Sequence, residues 1–285
     1  MGIVYEKIMA MQVPPVEQTL GPKDCMLYAL GVGLGHDPMN EAELAFVYEK
    51  NLKVLPTMAT VLGYGGSWAR EAGIDQVKVV NGEQGFTLHR PLQTSGTLIG
   101  QTRILEVVDK GVGKGALIFS ERQITDKATG QLVATVSQTA FCRGDGGFGG
   151  PPRSAPTATH PIPERAPDFT CDLLTRPEAA LIYRLSGDYN PLHAEPAFAR
   201  AAGFERPIFH GLGTFGVSGH ALLKTLCGYD PNRLISFGCR FSAPVFPGET
   251  IRTEMWRDGP IVSFRARVVE RDVVAISHGR AEVKP

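Results

Sequence analysis

A carboxylate, an amide and an imidazole fall on one short segment, Gly187-Asp188-Tyr189-Asn190-Pro191-Leu192-His193. On a regular helix Asp188 and His193 would occupy different faces. The Asn190-Pro191 step biases the chain away from helix and toward a turn, which can bring both side chains together. Two groups of different intrinsic pKa aimed at one water can withdraw a proton from it and deliver one elsewhere, with no metal or cofactor. Asn190 cannot transfer protons at neutral pH, so it is read as orienting water or substrate. Taken alone, the same residues also fit an ordinary turn held by its aspartate and asparagine side chains.

Further on comes His210-Gly211-Leu212, followed by the small and apolar run Gly213 to Leu223. That run predicts a buried helix with Gly211 in its first turn. A helix start presents unpaired N–H groups and a partial positive charge, so it can stabilise an oxyanion without using a side chain. His210 is read as packed or bonded to backbone, and His36, His89, His160, His220 and His278 as structural or exposed.

The elements that must position these groups are expected in two similar halves. Between Gly144 and Pro167 glycines give way to prolines, the pattern of a linker. It separates residues 1–143 from 168–285. Each half reads as a capped helical segment, a short helix, an apolar helix and then alternating strands. In the second half Thr175-Arg176-Pro177-Glu178 has capping-box spacing, and the helix it starts should stop at Ser186-Gly187. Helices follow at 195–202 and 211–226, then strands at 234–243, 249–257, 260–270 and 272–283, with Asp258-Gly259 as a hairpin turn. First-half strands are expected at 86–91, 97–108, 113–124 and 131–142.

Tyr28-Ala29-Leu30-Gly31-Val32-Gly33 echoes Tyr183-Arg184-Leu185-Ser186-Gly187-Asp188, and Arg90-Pro91 to Gly96 echoes Ala243-Pro244 to Gly248 at nearly the same offset. This is the signature of an internal duplication. Gly33 stands where the second half has Asp188, so one half keeps the chemistry and the other shapes the pocket. The implied fold class is α+β, with each sheet wrapped on its helix.

Composition narrows the function. Lys plus Arg and Asp plus Glu are 29 each, so no global field favours nucleic acid or an anionic membrane. Five scattered cysteines without a C-x-x-C pair read as reduced thiols. The start of the chain lacks a signal-peptide pattern, no apolar stretch is long enough to span a bilayer, and Glu-Val-Lys-Pro is not a peroxisomal address. A cytoplasmic location is expected. Gly31-Val32-Gly33-Leu34-Gly35 lacks the full dinucleotide fingerprint, and Lys110 to Gly115 lacks P-loop spacing, although Lys110 or Lys114 could meet a CoA phosphate. No cofactor is expected.

With Pro207-Ile208-Phe209-His210-Gly211-Leu212, the segment from Tyr183 to His193 resembles the hydratase 2 family of MaoC-like enoyl-CoA hydratases, including the hydratase part of peroxisomal multifunctional enzyme type 2. The similarity extends through Leu55-Pro56-Thr57, Gly82-Glu83-Gln84, Asp109-Lys110-Gly111 and Gly146 to Gly150. It implies a double hot dog fold, two antiparallel sheets each wrapped on a long helix, and reversible syn addition of water to a trans-2-enoyl-CoA, giving a (3R)-3-hydroxyacyl-CoA. By position it implies Asp188, Asn190 and His193 as the catalytic segment and Gly211 as the oxyanion donor. Asn81, Gly82, Lys110 and Phe241 fall at acyl-CoA contacts; family members carry histidine in place of Asn81. Glu49 matches a glutamate that supports activity through structure. Medium, long or bulky acyl chains are expected, in fatty acid or related acyl-CoA metabolism, and an exposed sheet edge favours a homodimer. The alternatives are a hot dog thioesterase, a 3-hydroxyacyl-ACP dehydratase or a noncatalytic acyl-CoA-binding protein.

Overall fold

The structure, a computed structural model, describes residues 3–65, 71–75, 78–150 and 159–285. The first half contains α1 (Tyr5–Met9), β1 (Val16–Leu20), α2 (Pro22–Gly31), α3 (Glu41–Val47), a 3-10 segment Pro56–Val61, β2 (Val79–Leu88), β3 (Gly96–Asp109), β4 (Ala116–Asp126) and β5 (Leu132–Cys142). The second half contains β6 (Phe169–Leu174), α4 (Ala179–Tyr183), α5 (Pro196–Ala201), α6 (Gly211–Leu226), β7 (Leu234–Phe241), β8 (Thr250–Asp258), β9 (Ile261–Val268) and β10 (Val273–Val283). All ten strands form one antiparallel sheet in the order β1-β3-β4-β5-β2-β7-β10-β9-β8-β6. Read outward from the β2/β7 junction, both halves have the same strand order.

The sequence echo has a spatial meaning. Gly85 pairs with Gly238 at that junction, with the same separation in sequence as Pro91 and Pro244. The echoed tyrosines meet as well: the Tyr28 and Tyr183 rings are 5.8 Å apart, and a Cβ on Gly31 would lie 3.1 Å from the Tyr183 Cα. Glycine at position 31 therefore lets α2 approach α4 closely.

Helix α6 is buried along most of its length and supplies the centre of the core. It starts where expected, and Gly228 (φ 58°) follows its C-terminal end. Its Phe215 ring packs edge-on against Phe237 and Phe86, joining the long helix to both middle strands. Across the interface between halves, buried Glu43 on α3 accepts a hydrogen bond from the Tyr229 hydroxyl at 2.9 Å and stands 3.7 Å from His220 Nε2 on α6. Burial opposes the Glu43 charge, but His220 and Tyr229 overcome it and hold the carboxyl down at about 2.

Several local expectations need correction. The long helix expected in the first half is, among the described residues, the six-residue 3-10 segment Pro56–Val61. The edge strands β1 and β6 have too few residues for a clear alternation signal. β2 begins at Val79, well before residue 86, because β5 pairs with it from Val79 and β7 from Glu83, over a stretch whose Asn81, Gly82, Glu83 and Gly85 hide the apolar period. Thr175 forms no capping box: its Oγ1 donates to Glu249 O at 2.8 Å and accepts from Gly248 N at 2.9 Å, which ties the helix approach to the turn before β8 instead. Residues 151–158 of the expected linker lie outside the described residues. On its flanks, Asp109 accepts from the N–H groups of Gly147 and Gly149, and Trp256 donates to Arg165 O.

Candidate active site

Gly187, at φ 122°, ends the turn after α4 and reverses the chain. Asp188 Oδ1 then accepts the Asn190 N–H at 3.2 Å, and Asn190 Oδ1 caps the following Pro191–His193 turn through the Leu192 N–H at 3.0 Å. Asn190 thus builds the turn with its oxygen and leaves its amide N–H groups for other partners. The result is the expected convergence: Asp188, His193 and His210 each place a ligand-type atom within 4.8 Å of the others. Asp188 is exposed, whereas His193 and His210 are buried.

His193 Nδ1 lies 2.9 Å from Ile208 O. A carbonyl oxygen can only accept, so Nδ1 carries the proton and Nε2 keeps its lone pair. Burial lowers the His193 pKa, while the Ile208 bond and Asp188 oppose that shift. The side chain is therefore a neutral base at neutral pH, next to a carboxylate able to stabilise its protonated form.

His210 is bonded to backbone, as its sequence context implied: its Nε2 meets Asp188 O at 3.2 Å. Its ring stacks on His193 at 3.7 Å between centroids and lies 4.9 Å from the Tyr183 ring. Burial, reinforced by His193, pushes its pKa down to about 4, so it forms a neutral floor beneath the reactive imidazole. Imidazole lone pairs lie in the ring plane. Two rings stacked only 27° from parallel do not aim those lone pairs at a common point, and each ring already has one nitrogen on a carbonyl. The trio suits proton transfer better than metal coordination.

Gly211 is the first residue of α6, with His210 as its N-cap, so its N–H has no intrahelical acceptor. The Phe241 ring lies 3.5 Å from where a Gly211 Cβ would stand. From Phe241 a strip of candidate contacts crosses the sheet. Arg240 pairs with Glu83, beside which Gly82 forms the bulge in the β2–β5 ladder. The Phe141 Cβ lies 3.9 Å from where a Gly82 Cβ would stand, and exposed Lys110 holds its ammonium 4.7 Å from the Phe141 ring centre. Asn81 Nδ2 donates to Gln84 at 3.3 Å, while its buried Oδ1 has no partner. Gly82, Lys110 and Phe241 therefore come together along one track leading from the helix start.

Glu49 does not join them. It is exposed on the bend after α3, whereas the buried carboxylate that joins the halves is Glu43. Sequence spacing could not separate the two, because both glutamates lie close together on one amphipathic segment. Gly31 closes α2 and Gly33 and Gly35 follow it, whereas a dinucleotide loop follows a strand and opens a helix.

Residues 19–144 match the MFE-2 hydratase 2 N-terminal domain and residues 158–278 the MaoC like domain. The chain belongs to the MaoC-like hydratase 2 family. It is 36% identical to enoyl-CoA hydratase 2, peroxisomal, of Arabidopsis thaliana, over 95% of this chain and 92% of the relative. It is 42% identical to 3-hydroxyacyl-thioester dehydratase Y of Mycobacterium tuberculosis, over 90% and 87%. Among solved structures, a MaoC-like dehydratase from Phytophthora capsici superposes with TM-score 0.86 at 36% identity, covering 98% of both chains. The architecture is the double hot dog fold.

Proposed function

We propose that this protein is an (R)-specific 2-enoyl-CoA hydratase that adds water reversibly and on one face to trans-2-enoyl-CoA. The supporting observation is the neutral His193 Nε2 beside the Asp188 carboxylate, next to the free N–H at the start of α6. Membership of the family, whose relatives carry hydratase and dehydratase names, supports the same chemistry read in its two directions.

An enoyl thioester accepts a nucleophile at its β-carbon only when the charge moving onto the carbonyl oxygen is stabilised. Gly211 N–H, with the helix start behind it, supplies that stabilisation, worth ~3 kcal/mol for one such donor. Asp188 and Asn190 hold the water. His193 Nε2 takes its proton as the oxygen bonds to the β-carbon, and Asp188 stabilises the imidazolium formed. The proton is then delivered to the α-carbon, restoring the neutral thioester and the neutral imidazole. One group working from one side of the substrate makes the addition syn. Water and the thioester supply every atom transferred, so the reaction calls for no cofactor. CoA would lie along the strip from Phe241 past Gly82 to Lys110, with Lys110 free to meet a phosphate.

The test is spectrophotometric. Purified protein with a trans-2-enoyl-CoA should bleach the conjugated enoyl absorbance while releasing no free thiol. Thiol release at the rate of substrate loss would instead identify a thioesterase, and neither change would identify a binding protein.

A further inference from the structure

The inward-facing row of β4 contains Ala116, Ile118, Ser120, Arg122 and Ile124, all buried. In the second half β9 fills the same layer with Val262, Phe264, Ala266 and Val268. Arg122 is thus a cation at a core position, 5% exposed. One guanidinium N–H donates to Thr60 O at 2.6 Å, Nε has no partner, and no carboxylate pairs with it among the described residues. Above it lies Tyr64, 48% exposed, with its ring centre 5.2 Å from the guanidinium. A buried charge without a counter-ion is costly. Burial lowers the Arg122 pKa only to about 10, so the charge persists at neutral pH.

The location connects this cation to the reaction. Arg122 pairs with Val136, and Val136 pairs with Phe86, whose ring meets α6 at Phe215. Beyond that ring the long helix no longer covers the sheet. The short segment Pro56–Val61 stands there, and its Thr60 carbonyl is the one that Arg122 holds. Burial raises the Tyr64 pKa, with Arg122 opposing the shift and the catalytic-segment carboxylate Asp188 adding to it, so the tyrosine lies within electrostatic reach of both. On the same inner face, near the far end of β4, a cavity of about 220 Å³ is lined by Leu62, Leu98 and Val133. The inner layer of the first half therefore holds a cavity and, on β4, a buried cation without an anion among the described residues.

We infer that Arg122, beneath Tyr64, is a specificity determinant for an enoyl thioester whose acyl chain carries a carboxylate beyond the reacting carbons. This rests on the hydratase reading above and refines its substrate class: the favoured chain is acidic instead of a plain aliphatic tail. A carboxylate reaching the guanidinium would form a charge-assisted pair and occupy the donor that now has no partner.

The experiment compares matched medium-chain trans-2-enoyl-CoAs ending in methyl or in carboxylate, followed by enoyl absorbance. The wild type should show a kcat/KM at least about tenfold higher for the carboxylate form at one chain length. Arg122→Met should erase that preference while keeping the methyl-ended rate within about threefold, and Arg122→Lys should retain part of it. No carboxylate preference at any length in the wild type would overturn the inference. So would an equal loss on both substrates in Arg122→Met, which would make the guanidinium only an anchor for Thr60. Should that variant fail to fold, the wild-type comparison still decides. Hydration of methyl-ended substrates without a carboxylate preference sinks this inference alone; no hydration of either series sinks the hydratase reading with it.

Discussion

The two halves share a strand order but diverge where each leaves its tyrosine-bearing helix. After α4 the second half makes the Gly187 turn, carries Asp188 and His193, and launches the 16-residue α6 at Gly211. After α2 the first half runs through Gly33 and Gly35, at φ 90° and 72°, and reaches only the 3-10 segment Pro56–Val61. The difference separates two requirements. Chemistry needs a turn that converges an acid and an imidazole, plus a helix start with a free N–H; one copy is sufficient. The repeat relieved of that task can leave its sheet partly uncovered, which lets a residue such as Arg122 face inward.

The strongest way to break this division is to disable each half in turn. His193→Ala and Asp188→Ala should each lower kcat by about 10³-fold or more with circular dichroism unchanged; the melting temperature should hold for exposed Asp188 and fall modestly for His193, which is buried and bonded to Ile208 O. In the first half, His36→Ala should leave kcat within about threefold. A comparable loss there would mean that both halves contribute to the chemistry.

The helix start can be probed without moving a side chain. Gly211→Pro removes the N–H at a position where proline suits a first helical turn, after a residue already extended at ψ 137°. It should cost about 10²-fold in kcat. Gly211→Ala keeps the donor and places its Cβ at ordinary contact distance, 3.5 Å from Phe241, so its rate should fall by no more than a few-fold. Equal losses in the two variants would assign the effect to crowding.

A smaller effect concerns the seam between halves. Glu43→Ala removes the acceptor for Tyr229 and the partner of His220, leaving buried polar groups unpaired. Chemical denaturation should show a loss of about 2–3 kcal/mol with the rate per folded molecule preserved. The Glu43 carboxyl is depressed in the folded chain, so its stabilisation is present above the ordinary glutamate pKa. It is lost as pH falls through about 2.

The smallest effect is the pH dependence of the site. His193 and His210 both have lowered pKa values in the folded chain. The acid limb of kcat/KM should therefore lie below 6.5, the ordinary imidazole value, since catalysis requires neutral His193. Below 6.5 an unfolded chain binds protons that the folded one resists, so stability should decline as pH falls from 6.5 toward about 4. An acid limb above 6.5 would argue against His193 as the base.

The catalytic turn was legible because its signals are local: a glycine needed at positive φ, a proline that forbids helix, and an apolar run that fixes where α6 begins. The duplication was legible from the Tyr28/Tyr183 and Pro91/Pro244 echoes, and its spatial meaning appears in the Gly85–Gly238 pairing. Other features depended on distant partners. Thr175 looked like a helix cap but is claimed by Glu249 and Gly248, and the polar start of β2 becomes strand because β5 bonds to it from Val79 onward, with β7 joining at Glu83. Arg122 carried a usable signal that was missed. It shares the odd-even phase of Ala116, Ile118 and Ile124, so the alternation pointed it inward, although an arginine on a strand ordinarily reads as a solvent-facing residue.

The most direct measurement is hydration of a trans-2-enoyl-CoA in deuterium oxide, with the product's configuration read at both new centres. The expected product is the (3R)-hydroxyacyl-CoA bearing oxygen and deuterium on the same face, formed by the wild type and lost in His193→Ala. A (3S) product, addition from opposite faces, or undiminished turnover in His193→Ala would contradict a single proton-handling turn acting from one side.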